Sequence, residues 1–123
     1  MLGLLLDEHI SPHVARGLRR ATRGMAVHAL SEWQGGDFLG QPDDACLRAA
    51  LAENLTLVTY DRRTIPPLLK SWAETGAAHG GVIFVDEKTI SPADVGGLVK
   101  ALHQLAHEGA EWEWKNLIVF LRR

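Results

Sequence analysis

The sequence predicts an α/β protein, a three-layer sandwich in which a mainly parallel sheet is flanked by helices. Short apolar runs that suit buried strands alternate along the chain with segments of helical character. This alternation is typical of parallel sheets, because each crossover between parallel strands needs a connecting element that is usually a helix. With 123 residues, of which 46% are hydrophobic, the chain has the size of a single domain over residues 1–123.

The first half of the chain carries a separate local signal for each element. An apolar run that stops at an acidic residue predicts a buried strand, and Ser-Pro predicts a helix with Ser as N-cap and Pro in the first turn. Good helix formers predict a second helix, and β-branched apolar residues predict a third strand. The predicted elements are a strand over Leu2–Leu6, a helix from Ser11 to Gly24, a strand over Met25–Leu30, a loop over 31–42, a helix from Asp43 to Asn54 and a strand over Leu55–Tyr60.

The second half repeats the same pattern. Pro66-Pro67 predicts the first turn of a helix, and Ser91-Pro92 predicts another helix start with Asp94 in its first turn. An amphipathic stripe follows that second start and predicts a helix with one face in the core. The predicted elements are a helix from Pro66 to Thr75, a strand over Gly81–Val85, a helix with its stripe at Val95, Leu98, Val99, Leu102, Leu105 and Ala106, and a strand over Leu117–Leu121.

Composition excludes several classes of protein. A net charge of −2 argues against a strongly basic nucleic-acid-binding domain, although an acidic metal site can mask a local basic patch. The single cysteine, Cys46, rules out an intrachain disulfide framework and favours a reducing compartment. The apolar run Leu2–Leu6 is too short for a membrane span and lacks the charged flank of a signal peptide. We therefore expect a cytoplasmic protein without a membrane partner.

Acidic side chains follow two of the predicted strands at the point where each strand ends. Asp7 follows the first strand, Asp61 follows the third, and Asp43 begins the helix that precedes the third strand. In open parallel sheets, ligands bind beyond the carboxyl ends of the strands. Clustered carboxylates repel one another, and a divalent cation such as Mg²⁺ or Mn²⁺ relieves that repulsion. Water on such an ion is a nucleophile, so the pattern indicates phosphodiester hydrolysis.

Each acid also has a structural alternative to weigh against a metal site. Asp43 suits the N-cap of its helix, and Asp61 suits the cap of a turn before Pro66. Asp7 has no such routine role at the end of a central apolar strand. The three acids together therefore favour a metal site more strongly than any one of them alone.

Three motifs that contain these acids resemble one family. They are Leu4–His9 with the Ser11-Pro12 that follows, Asp43–Leu47, and Leu57–Asp61. In order and spacing, over about the first half of the chain, they resemble a short PIN-like domain family of largely uncharacterised nucleases.

The resemblance implies a PIN-like fold and a ribonuclease site that depends on Mg²⁺ or Mn²⁺. It implies RNA as substrate and, because many relatives are toxins of toxin–antitoxin pairs, an antitoxin protein as partner; a homodimer is a further expectation. Position beside the acids adds three candidates for substrate contacts. The candidate residues are the catalytic metal ligands Asp7, Asp43 and Asp61, the outer ligands Glu8 and Asp44, the supporting hydroxyl of Thr59, and the substrate contacts His9, Arg62 and Arg63.

Two departures from the family pattern leave alternatives open. His9 stands where the family usually has Asn, and Arg63 stands where it often has a further acid. The site would then hold one metal, act on an altered substrate, or have lost catalysis, which would leave a non-catalytic binding module. A phosphorelay receiver domain also has an acid pair after its first strand and an Asp after its third. Against it, no Ser or Thr follows Val85 and no Lys-Pro follows the last strand.

Overall fold

The computed structural model describes residues 2–123, which form five strands, four α-helices and one short 3₁₀ helix. The strands and helices alternate as predicted. In chain order the elements are Gly3–Leu6 (β1), Pro12–Ala21 (α1), Val27–Ala29 (β2), the 3₁₀ helix Trp33–Gly36, Asp43–Ala52 (α2), Leu55–Thr59 (β3), Ile65–Thr75 (α3), Val82–Val85 (β4), Val95–Glu108 (α4) and Ile118–Leu121 (β5).

All five strands are parallel and lie in the order β2-β1-β3-β4-β5. From β1 the chain moves outward to β2, whereas from β3 it moves in the opposite direction to β4 and β5. The strand order therefore reverses between β1 and β3, and this reversal defines the topological switch point where open α/β sheets bind ligands. The predicted α/β sandwich with a parallel sheet is confirmed.

Helices cover both faces of the sheet. On one face, α1 and α4 pack on alternate strand residues such as Leu4, Leu6 and Val58. On the other face, α2 and α3 pack on residues such as Leu5 and Leu57. Strands buried on both faces need apolar side chains at every position, which explains the continuous apolar runs in the sequence.

The two Ser-Pro helix starts have different outcomes. The Ser11 hydroxyl accepts a hydrogen bond from the His13 N–H at 3.2 Å, and α1 begins at Pro12 as predicted. The start predicted at Ser91-Pro92 is wrong, because α4 begins at Val95 with Asp94 as its N-cap. Asp94 has a non-helical ψ of 76°, and its carboxylate accepts the Gly97 N–H at 2.9 Å. Because the Asp94 carboxylate accepts this N–H, it caps the helix that begins at Val95, and the turn at Pro92 and Ala93 is not part of that helix.

The other differences concern element boundaries. Helix α1 ends at Ala21 rather than at Gly24, because Gly24, at φ 82°, belongs to the turn that leads to β2. The predicted loop over 31–42 contains the 3₁₀ helix, which the buried Trp33 anchors to the core. Among residues 2–123, no helix combines the length and apolar character that a membrane span requires.

Candidate metal centre at the carboxyl edge of the sheet

Asp7 lies at the end of β1, beside β3. Its N–H donates to the Val58 carbonyl at 3.1 Å, and its side chain is buried, with 8% exposure. One carboxylate oxygen accepts the His9 N–H at 3.0 Å, and the other accepts the Thr59 hydroxyl. Burial raises the pKa of Asp7 above its ordinary value, and these two hydrogen bonds oppose the rise. A buried carboxylate of this kind is stabilised by any nearby cation.

The Thr59 hydroxyl connects Asp7 to the main chain at Asp61. It donates to the Asp7 carboxylate and accepts the Asp61 N–H at 3.0 Å. Thr59 is the last residue of β3 and is fully buried. The hydroxyl therefore places the second acid relative to the first across the switch point.

Asp61 caps the turn between β3 and α3. Its Oδ1 accepts the Arg63 N–H at 2.8 Å and the Thr64 N–H at 2.9 Å. Burial raises the pKa of Asp61, but the hydrogen bonds from Thr64 and Arg63 outweigh burial and hold the pKa below its ordinary value. The turn-capping role considered for Asp61 is confirmed, and it leaves this carboxylate ionised.

The Thr64 hydroxyl lies between two carboxylates. It is 3.0 Å from Oδ2 of Asp43 and also within hydrogen-bond distance of Oδ2 of Asp61. A hydroxyl has one proton, so only one of these two contacts can be a hydrogen bond at a time if both carboxylates are ionised. Three oxygens therefore converge with a single proton among them, which is an environment that a cation would stabilise.

Asp43 contributes to the site from the first residue of α2. The N-cap of this helix is Pro42, so the N-cap role considered for Asp43 is wrong. Asp43, Asp7 and Asp61 line one small cavity of about 20 Å³, which has room for one water-sized species. The remaining residues that line it are Glu8, His9, Leu30, Gln41, Cys46, Leu57, Thr59 and Ile65.

The chemistry of these donors fits a hard divalent cation, since carboxylate and hydroxyl oxygens line the cavity. However, within residues 2–123 no three acidic, histidine or cysteine side chains form a preformed metal cluster. The hydrogen bonds to Asp7 and Asp61 explain why, because they direct carboxylate oxygens to Thr59 and to the turn. The arrangement suits an ion such as Mg²⁺ that takes few carboxylates directly, and the waters that such an ion keeps would need the adjoining open cavity of about 340 Å³.

The outer candidate residues divide into two groups. Glu8 and His9 line the acidic cavity, and His9 Nε2 lies 3.8 Å from a Glu8 carboxylate oxygen. Asp44 does not line it, because its carboxylate pairs with Arg48 at 3.5 Å along α2. Arg63 lines a second, open cavity of about 340 Å³ next to the first, with Asp61 and His9 shared between the two.

Sequence reasoning missed Thr64. It is the N-cap of α3, where a Thr side chain ordinarily caps the helix, but no side-chain cap hydrogen bond is present here. Its hydroxyl instead contacts Asp43 and Asp61. The sequence shows only a Thr three residues after the acid of the third motif, and such a residue is typical of a helix cap rather than of a metal site.

A family model described as a PIN-like domain matches residues 3–80. The match spans β1 to α3 and includes Asp7, Asp43, Thr59 and Asp61. No curated protein and no solved structure matches the chain. The strand order 2-1-3-4-5 is shared with flavodoxin-like folds and does not by itself separate this fold from a receiver domain, whereas the family match does. PIN-like domains are generally nucleases that use divalent metals. The chain belongs to the PIN-like domain family.

Proposed function

We propose that this protein is a divalent-metal-dependent nuclease that hydrolyses RNA phosphodiester bonds. The observation that carries the proposal is the single cavity lined by Asp7, Asp43 and Asp61 at the switch point of a PIN-like sheet. These acids come from three separate segments of the chain.

In this proposal the three acids hold Mg²⁺ or Mn²⁺, which when bound supplies a nucleophilic water and stabilises charge on the phosphate. The chain positions the ligands. Thr59 orients Asp7 and the main chain of Asp61, and Thr64 aligns the carboxylates of Asp43 and Asp61. Glu8 lines the same cavity and is the outer ligand that the geometry favours over Asp44.

Arg63 is the main departure from the family pattern. A guanidinium in place of an acid favours one metal ion over two, because it adds positive charge where a second ion would need a ligand. Arg63 and His9 line the open cavity beside Asp61. In this proposal they contact a substrate phosphate, which guanidinium binds in a bidentate manner.

The biological setting rests on the family resemblance. We propose a cytoplasmic toxin that is neutralised by an antitoxin protein, with a homodimer as the further expected assembly. A small open reading frame next to the gene, whose product binds this protein and blocks cleavage, would support the toxin role. A neighbouring gene without such a product would contradict it.

The decisive experiment compares the wild type with Asp7→Asn and Asp61→Asn in Mn²⁺ calorimetry and in cleavage of single-stranded RNA. We expect Mn²⁺ binding to be lost in Asp7→Asn and cleavage to fall at least about 100-fold in both variants. Asp86→Asn is the matched control. Asp86 also directly follows a strand, β4, but does not line the acidic cavity, so its variant should bind and cleave normally.

The second candidate function is a non-catalytic binding module. It is favoured by Arg63 and by the absence of a preformed metal cluster in residues 2–123. If the wild-type protein neither binds Mn²⁺ nor cleaves RNA, the result would support this candidate and contradict the nuclease proposal. Labelling of Asp61 by acetyl phosphate would instead indicate receiver-domain chemistry.

A further inference from the structure

An aromatic side chain is exposed on the edge strand β5. Phe120 is 57% exposed, the most of any large hydrophobic residue that the structure describes. Its ring stacks on that of the buried Phe84 in β4, with ring centroids 5.6 Å apart and planes inclined by 22°. The buried ring of Phe84 therefore supports the exposed ring.

Arg62 links this ring to the candidate metal centre. Its guanidinium carbon lies 5.3 Å from the centroid of the Phe120 ring, within the range of a cation–π interaction. Arg62 directly follows Asp61 in the chain. In register, Phe120 lies beside Phe84 and Phe84 beside Thr59, so the Cα atom of Phe120 is two strand spacings, about 10 Å, from that of Thr59 at the end of β3.

The surface around Phe120 is basic although the whole chain has a net charge of −2. Two grooves flank the ring, one between β5 and α4 and the other between β5 and α3, with volumes of about 570 and 530 Å³. Their charged lining consists of one acid, Glu108, against several cations. These cations are Lys70, Lys100, Arg122 and Arg123, of which Arg123 pairs with Asp94.

We infer that Arg62 and Phe120 form a stacking platform that holds a base of a single-stranded nucleic acid next to the acidic cavity. The inference rests on the proposed nuclease function, since it places the strand that the site would cleave. Aromatic rings and guanidinium planes both stack on bases, and cations along the groove attract the phosphate backbone. We name this pair the Arg62–Phe120 platform.

A second copy of the chain is the competing occupant, because an exposed edge strand can pair with another. A two-fold symmetric dimer would bring the same surface opposite itself. Here that surface carries Arg62, Lys70 and Arg122, so the contact would face like charges and be disfavoured. Charge complementarity therefore favours a polyanion at this surface.

The test is fluorescence anisotropy with a labelled single-stranded oligouridine of about ten nucleotides in EDTA, where no metal-dependent cleavage occurs. Phe120→Leu keeps an apolar contact with Phe84 but removes the ring, and we expect it to weaken binding about 10-fold. Arg62→Gln should weaken binding by a similar factor, whereas Phe120→Trp should preserve it.

Two matched controls isolate the platform. Arg48→Gln removes the same charge and another cation–π pair, since Arg48 lies 5.2 Å over the ring of the buried Trp72. Ile118→Ala removes apolar surface from the same edge strand without removing a ring. Both controls should bind the oligonucleotide like the wild type.

The inference is overturned if the wild type does not bind, if Phe120→Leu binds like the wild type, or if Ile118→Ala is equally weakened. A wild-type dimer that Phe120→Leu converts to a monomer in light scattering would also overturn it in favour of a second copy. Because binding is measured without metal, a wild type that binds RNA but never cleaves it with Mn²⁺ contradicts only the nuclease proposal.

Discussion

At the residue scale, Asp7 and Asp61 line one cavity, but their surroundings shift their pKa values in opposite directions. Burial raises the pKa of Asp7 above 3.8, whereas hydrogen bonds from Thr64 and Arg63 hold that of Asp61 below it. The folded protein therefore binds a proton at Asp7 more readily than the unfolded chain does. Proton binding at Asp7 therefore stabilises the fold below pH 3.8, and this stabilisation is lost as the pH rises through the pKa that Asp7 has in the folded protein. For Asp61 the contribution to stability is present above pH 3.8 and is lost as the pH falls through its folded pKa.

These signs predict opposite effects of two equivalent substitutions. At pH 7 in EDTA, Asp7→Asn should raise the unfolding free energy by about 1 kcal/mol and the melting temperature by about 4 °C, because a buried charge is removed. Asp61→Asn should lower the melting temperature, because an ionised acceptor of several hydrogen bonds is removed. Differential scanning calorimetry measures both. The increase in unfolding free energy caused by Asp7→Asn should become smaller toward pH 4, where Asp7 itself takes up a proton. If Asp7→Asn instead lowers the stability at pH 7, the expected stabilising effect is contradicted.

At the element scale, the start of α4 depends on contacts from elsewhere in the chain. Asp94 caps the helix through Gly97, and the Arg123 guanidinium from beyond β5 binds the Asp94 carboxylate. A Cβ atom on Gly97 would collide with both of these side chains, whereas a Cβ atom on Gly96 would meet no heavy atom within 4 Å. The two adjacent glycines therefore have different roles.

We predict that Gly96→Ala raises the unfolding free energy by about 0.5 kcal/mol, because alanine has the higher helix propensity and the site has space for it. Gly97→Ala should lower the unfolding free energy, because the cap and the Arg123 contact must shift. Urea denaturation measures the unfolding free energies of both variants, which can be compared with that of the wild type if the m-values are equal. Equal effects of the two substitutions would show that the helix start does not depend on the Asp94 cap.

At the scale of the whole molecule, protection from solvent falls from the centre of the sheet to its β5 edge. All residues of β1 and β3 are buried, whereas Ile118 and Phe120 of β5 are exposed. Local opening is easiest where few apolar contacts cover the backbone. We expect amides of β5 that bond to β4 to exchange hydrogen at least about 10-fold faster than those of β1 and β3. Equal protection, measured by mass spectrometry or NMR, would indicate that a partner covers this edge.

Some features of this protein depend only on neighbours along the chain. Apolar runs and helix signals are local, so the alternating α/β elements and the acids that end β1 and β3 were predictable. Local signals fail where a competing group intervenes. The same Ser-Pro signal starts α1 at Ser11 but not α4 at Ser91, because Asp94 supplies the cap.

Which distant segments meet depends on the tertiary fold and is not predictable from local signals. The strand order places β1 beside β3, so Asp7 and Asp61 share a cavity with Asp43. Tertiary contacts also direct the Thr64 hydroxyl to Asp43 and Asp61 rather than to its own helix, and they place Arg62 over the Phe120 ring. Sheet pairing and packing on both faces, rather than local conformation, bring together side chains that are far apart in sequence.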